Sequence, residues 1–221
     1  SARRTGRKRL TARTGKGILY MGYFDSVRKE LDQVMDGVLP WITRISSSTH
    51  DIKESGGTAA DDKKTGACSL CVSVNQCRFV HDAARMPAFP QHPHCRCKLE
   101  PCDAPDPSDV TLDFRMEKIS NYLFVHSTKS KLIFSWGYTP DDAEEVYEAI
   151  GRQAKECYAR GEYELGVHDE YGQRIRIRCM LPGKRQKTGR TYDFYTAWMV
   201  YPQWELHCNT PFAGEVTHAI S

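Results

Sequence analysis

Apolar positions recur at two different periods along this chain, and the period changes partway through. In "FDSVRKELDQVMDGVL", Phe24, Val27, Leu31, Val34, Met35 and Val38 fall at helical spacing, which predicts an amphipathic helix ending near Pro40. Residues 46–66 are polar, contain Gly and Ser and have no period, so they read as a loop. From about residue 110 the elements become shorter. "RMEKISNYLF" predicts a short helix, and "KSKLIFSWGY" follows it. Thr139 with Pro140 behind it marks the start of a second helix that runs to about Arg160. Beyond that point the period becomes two. "YELGVHD", "QRIRIRCML", "YDFYTAWMVY" and "WELHC" read as four strands, the second and third joined as a hairpin around "PGKRQKTG". Helices followed by a run of antiparallel strands predict an α+β fold with helices packed on one face of a four-stranded antiparallel sheet.

The 221 residues and 40% apolar composition can support a core, and no apolar run approaches the roughly 18 residues of a membrane span. The chain begins at Ser1 rather than Met, which reads as processing or as a fragment of a longer protein. The formal charge of +3 is unevenly placed. Residues 1–20 form a basic arm with Arg3, Arg4, Arg7, Lys8, Arg9, Arg13 and Lys16, which suits either nucleic-acid contact or a disordered, solvated tail. The acidic, Pro-containing "DAPDPSD" at 103–109 reads as part of a linker over 103–111. The expected organisation is therefore a basic arm (1–20), a helix, loop and Cys/His segment (21–102), a linker (103–111) and an α+β domain (112–221).

Of nine cysteines, six lie between Cys68 and Cys102, while Cys157, Cys179 and Cys208 stand singly, as small buried hydrophobes do. Cys68-x2-Cys71 followed by His92-Pro-His94-Cys95-Arg-Cys97 has the spacing of a metal knuckle with a distant second pair. The expected zinc ligands are Cys68, Cys71 and Cys95, with Cys97 or His92 as the fourth. Four protein ligands would make the ion structural. Disulfides and a catalytic ion are the other two readings.

"CSLC…FPQHPHCRC" resembles the cysteine-rich end of the phage Mu F-type head morphogenesis (minor capsid) family, over at most residues ~20–102. The resemblance implies a virion-associated or virion-derived connector and a phage head or secretion machinery as partner. It implies no activity.

In "QRIRIRCML", Arg174, Arg176 and Arg178 alternate with Ile175, Ile177 and Cys179, so three guanidinium groups share one face of a strand. Lys184, Arg185, Lys187 and Arg190 follow in the hairpin, and no acid lies between Tyr171 and Tyr192. This predicts a strongly positive face, either simply solvated or suited to RNA through phosphate contacts and stacking on Tyr192, Tyr195, Trp198, Tyr201 and Trp204.

The segment from "EKISNYLFVHSTKSKLIFSWGYTPDDAEEVYEAI" through "YGQRIRIRCML…YDFYTAWMVY" resembles a domain family at the C-termini of polymorphic toxins, near the barnase/EndoU/colicin/RelE-type ribonucleases. The match covers nearly all of residues 112–213. It implies a metal-independent endoribonuclease in which the RNA 2′-OH attacks the adjacent phosphorus, with tRNA among the candidate substrates. It also implies a secreted or virion-borne effector acting in the bacterial cytoplasm. Matching the family places Lys131 on the scissile phosphate, Lys118 in support and Thr196 as a hydroxyl donor. Arg176 is expected to stabilise the transition state, and His126 to move a proton. His168 and His207 are further proton-shuttle candidates, and Tyr195 replaces Thr196 if the latter is core, because Thr196 shares strand parity with Phe194 and Trp198. Arg174, Arg178, Lys184, Arg185, Arg190 and Tyr195 are the expected RNA contacts. An acidic immunity protein is the partner such a face would draw. The alternative is a minor head protein whose C-terminal unit binds nucleic acid or a partner without catalysis.

Overall fold

The computed structural model describes residues 41–45, 69–91, 95 and 97–216. The basic arm, the amphipathic segment at 24–38, the polar stretch at 46–66, Cys68 and His92 lie outside the described residues. The elements are β1 (Trp41–Ile45), α1 (Ser69–Val72), β2 (Arg78–Val80), β3 (Lys98–Cys102), β4 (Thr111–Asp113), a π-helical turn (Lys118–Leu123), α2 (Lys129–Ser135), α3 (Ala143–Ala159), β5 (Glu164–Asp169), β6 (Gly172–Pro182), β7 (Thr191–Tyr201) and β8 (Glu205–Glu215). The fold is α+β, with a three-stranded sheet ordered β2-β1-β3 and a five-stranded sheet ordered β4-β8-β7-β6-β5.

The expected four-stranded sheet is thus corrected to five. β5 to β8 form the antiparallel run, and β4 adds parallel to β8, with Leu112 opposite Leu206. Three residues after two prolines carry too little periodicity to announce a strand. β4 exists because the preceding turn delivers it to the β8 edge.

Alternation decides the main sheet. Ile175, Ile177, Cys179 and Leu181 of β6 are buried, and they stand opposite Trp198, Thr196, Phe194 and Tyr192 of β7. On this face α3 lays down Val146, Ile150, Ala154 and Tyr158, four positions apart each time and all buried. Thr139 caps the start of the helical run through a 3₁₀ turn, Pro140–Asp142, with a capping box between Thr139 and Asp142. The run ends in a Schellman arrangement. Gly161 N–H donates to Tyr158 O at 2.9 Å, Glu162 N–H donates to Cys157 O at 2.8 Å, and Gly161 takes the left-handed φ of 69°.

The small sheet shares this core. Trp41 packs edge-on against Tyr158 and Trp204, with ring centroids 5.3 and 5.2 Å away, while Tyr158 Oη donates to Arg78 O at 2.8 Å. The described residues all fall within one compact unit. The stretch expected as a linker is a closed turn. Asp106 accepts the Ser108 N–H and hydroxyl at 2.9 and 2.8 Å, Pro105 and Val110 are buried, and Thr111 N–H reaches Trp204 O at 3.1 Å. Acids and prolines serve tight turns as readily as spacers, since Asp side chains bond to backbone two residues on. Among the described residues no helix is long and apolar enough to cross a membrane.

Candidate functional site

The second face of the main sheet carries the arginine row, and each guanidinium has a carboxylate. Arg174 donates to Asp169 at 2.9 Å and Arg176 to Glu164 at 2.6 Å, and Arg178 pairs with Asp193. The expected strongly positive face is therefore an alternating-charge ladder. The acids come from the neighbouring strands β5 and β7, which the stretch between Tyr171 and Tyr192 cannot reveal.

Arg176 and Glu164 stand directly opposite each other in the β5–β6 register. Tyr195 Oη donates to the other Glu164 oxygen at 2.7 Å, and the Arg176 guanidinium lies 4.9 Å from the centre of the Tyr195 ring. The hydrogen bond to the Glu164 carboxylate, with partial burial, pushes the Tyr195 phenol up, so it stays protonated as a donor. A groove of about 280 Å³ opens here, lined by Glu164, Arg176, Arg178 and Tyr195 of the sheet together with Arg85 and Gly161 to Tyr163. Sequence reasoning named Arg176, Arg178 and Tyr195, but it missed Glu164, Asp193 and Arg85.

The remaining expected catalytic residues do not assemble here. Thr196 is fully buried, donating to Ile177 O at 3.1 Å and accepting Trp198 Nε1–H at 2.7 Å, so it is core and has no access to substrate. Lys131 is exposed on α2 and lies outside the groove. Its neighbour Lys129 turns inward instead: its ammonium donates to Tyr122 Oη at 2.5 Å, Thr210 Oγ1 at 3.1 Å and Phe212 O at 2.9 Å. That bond from Lys129 pulls the Tyr122 phenol down. Lys118 donates to Asn209 O at 3.4 Å, and exposed His126 sits edge-on to Tyr122 with ring centroids 5.4 Å apart. These groups tie the π-helical turn and α2 to the β8 edge. All three ammonium hydrogens of Lys129 are consumed in that tie.

Lys184 pairs with Asp142 at 3.0 Å and also with Glu145, while Arg185 reaches Asp142 at 2.8 Å and Thr139 Oγ1 at 3.1 Å. These two expected RNA contacts lock the β6–β7 hairpin onto the start of the α3 run. Arg190 is exposed. Of the expected stacking aromatics, Trp198 is core, Tyr192 stacks on Trp136 at 4.9 Å, Trp204 packs on Trp41, and Tyr201 stacks on His207 at 3.9 Å. His207 faces Glu205 at 2.8 Å and Asp113 at 3.5 Å. His168 lies 3.0 Å from Leu70 O and 3.2 Å from both Ser73 Oγ and Gln91 Nε2, bridging β5 to the cysteine segment.

In that segment the sulfurs of Cys71, Cys95 and Cys97 lie within 4.8 Å of one another, and this cluster could hold a metal ion. Cys71 and Cys95 are 3.8 Å apart. Metal–sulfur bonds of about 2.3 Å at tetrahedral angles put two thiolates about 3.8 Å apart, whereas a disulfide needs about 2.05 Å. The donor set therefore fits a metal. Cys77 belongs elsewhere, donating to Val200 O at 3.5 Å. Cys179 and Cys208 are core thiols pushed up to about 12 by burial.

A larger groove of about 510 Å³ runs between β4 and α3 over Leu112, Phe114, Tyr147 and Gly151. Its rim charges include the Arg152–Glu156 pair, 3.6 Å apart. Tyr147, Glu148, Arg152, Lys155 and Glu156 also line it, but the Tyr147 hydroxyl donates to Phe114 O at 2.8 Å rather than to a carboxylate. No family model, curated protein or solved structure matches the chain.

Proposed function

We propose that the chain is a toxin effector carrying a metal-independent endoribonuclease, with its reaction centre in the groove at Glu164, Arg176, Arg178 and Tyr195. The single observation that carries the reading is Glu164 held between Arg176 and Tyr195 at the mouth of an open groove. RNA supplies its own nucleophile, so a base, a proton donor and cations at the phosphate complete the requirements. Glu164 takes the 2′-OH proton as the 2′-oxygen attacks phosphorus. Arg176 and Arg178 neutralise the charge that builds on the phosphoryl oxygens. Each guanidinium has five N–H donors, so the carboxylate it already holds leaves donors for phosphate. Tyr195 gives its proton to the departing 5′-oxygen, and Glu164 returns the one it gained through their shared hydrogen bond. The products are a 2′,3′-cyclic phosphate and a 5′-hydroxyl end, with the protein restored.

The cysteine cluster completes the reading as a structural zinc site in a phage-head-like connector, since thiolate-rich, closed coordination suits zinc. RNA is the substrate, with tRNA as the first candidate to test. An acidic immunity protein, and a phage head or secretion machinery that delivers the effector to bacterial cytoplasm, are the proposed partners.

A second reading, a minor head protein with a non-catalytic nucleic-acid- or partner-binding domain, is favoured by one fact: all three arginines of the row are already paired. Incubating the chain with single-stranded RNA, without added divalent cation, separates the two. Cleavage with 2′,3′-cyclic phosphate ends is expected, and Glu164→Gln and Arg176→Ala should each lower kcat by about 10²–10³-fold while the fold is retained. RNA binding without any cleavage would leave the second reading standing.

A further inference from the structure

One residue lining the groove comes from the cysteine-rich segment. Arg85, in the loop after β2, lines it together with Arg176, Arg178 and Tyr195. We infer that Arg85 is a substrate-positioning residue, taking the phosphate next to the scissile one on a single-stranded RNA; this rests on the ribonuclease reading above.

Three observations support the assignment. First, the loop is fixed where it is needed. Tyr163 Oη donates to Arg85 O at 2.9 Å and accepts Val80 N–H at 3.0 Å, so one buried phenol anchors the loop to the residue just before Glu164. Second, the end of β2, from which the loop leaves, approaches the end of α3 so closely that a side chain at Gly161 would collide with Val80, while Arg85 stays in ordinary contact range. A Cβ on Gly161 would stand 2.4 Å from Val80 Cγ2 and 3.8 Å from Arg85 Nη1. Third, among the described residues, Arg85 is the groove guanidinium with no carboxylate within hydrogen-bond reach. Arg176 and Arg178 each hydrogen-bond a carboxylate, whereas the one carboxylate oxygen within 4.0 Å of Arg85 among the described residues is Asp82 Oδ2, at 3.7 Å and beyond hydrogen-bond reach. A fork of donors held in place at a groove that already places two cations on one phosphate suits a second phosphate.

The test measures cleavage by wild type and Arg85→Ala on a dinucleotide and on an oligoribonucleotide of several phosphates, at several salt concentrations. On the longer substrate the variant should raise KM by about tenfold with kcat unchanged. Its logarithmic salt dependence should fall by about 0.7, the share of one phosphate contact on a single strand. The dinucleotide, which has no second phosphate, should be cut as by wild type, and Arg85→Lys should recover part of the KM. Unchanged KM and salt slope on the oligomer would overturn the assignment, as would equal losses on both substrates. If wild type binds RNA without cutting it, the catalytic reading fails by itself. The same variant measured by Kd and its salt slope then decides whether Arg85 holds a phosphate.

Discussion

The Thr196 hydroxyl sits in a closed circuit beneath the sheet. It gives its hydrogen to Ile177 O and receives that of the Trp198 indole, with Cys179 Sγ 3.6 Å away. Thr196→Val keeps the volume and removes both bonds, leaving a buried indole N–H without an acceptor. The expected cost is about 1–3 kcal/mol, read as a lower denaturant midpoint at unchanged slope, with cleavage per folded molecule unaffected. A threonine that bound phosphate would instead lose activity first. Strand parity already exposed this conflict, because Thr196 and the apolar Phe194 and Trp198 alternate with outward Tyr195. The lysines were not legible in this way. Lys129 and Lys131 differ by two positions on α2, so they leave the helix on different sides, and only the packing of α2 against β8 decides which of them turns inward.

At the scale of elements, α3 was the most readable part of the chain. Thr139 and Pro140 start the helical run and Gly161 stops it, each through local chemistry that needs no distant partner. Its N-terminal end also carries a prediction. Burial works against the Asp142 charge, but hydrogen bonds from Arg185, from the Thr139 N–H and hydroxyl, and from Lys184 outweigh it and hold the carboxyl well below the usual range. A carboxyl with a depressed folded-state pKa contributes stability that is fully present above the unfolded value, about 3.9, and is lost as pH falls through the folded value. Asp142→Asn should therefore be less stable than wild type at about pH 7, with the gap closing towards about pH 2, as followed by urea unfolding. β6 shows the opposite case. Its alternation was plain in the sequence, yet the partner of each arginine follows from pairing register. The β5–β6 register shifts between Leu165 and His168, and no local rule places Glu164 against Arg176.

At the scale of the whole molecule, the cysteine segment and the sheet domain behave as one body. Trp41, Tyr158, Tyr163 and Trp204 join them, and the turn after α1, which carries Cys71, reaches β5 through Ser73 Oγ, which donates to Asp169 O at 2.9 Å. Metal should therefore support the stability of the entire unit. The chain is expected to bind one zinc per molecule, with proton release from the thiols. Zinc at about 100 times its Kd should add about 2.7 kcal/mol, seen as a higher Tm that a chelator reverses. Cys71→Ser or Cys97→Ser should lose that increment, while Cys208→Ser should keep the metal. Sequence by itself determined the α3 run and its caps, the inward and outward sides of β6 and β7, and the cysteine pattern. Each of these follows from neighbours within a few residues and from the 3.6- and 2-residue periods. Only tertiary structure decided the fifth strand, the neutralisation of the arginine row, the meeting of Cys71 with Cys95 and Cys97, and the groove that joins Arg85 to Glu164. Those are contacts between residues far apart in the chain, and they arise from packing and register, which local periodicity does not encode.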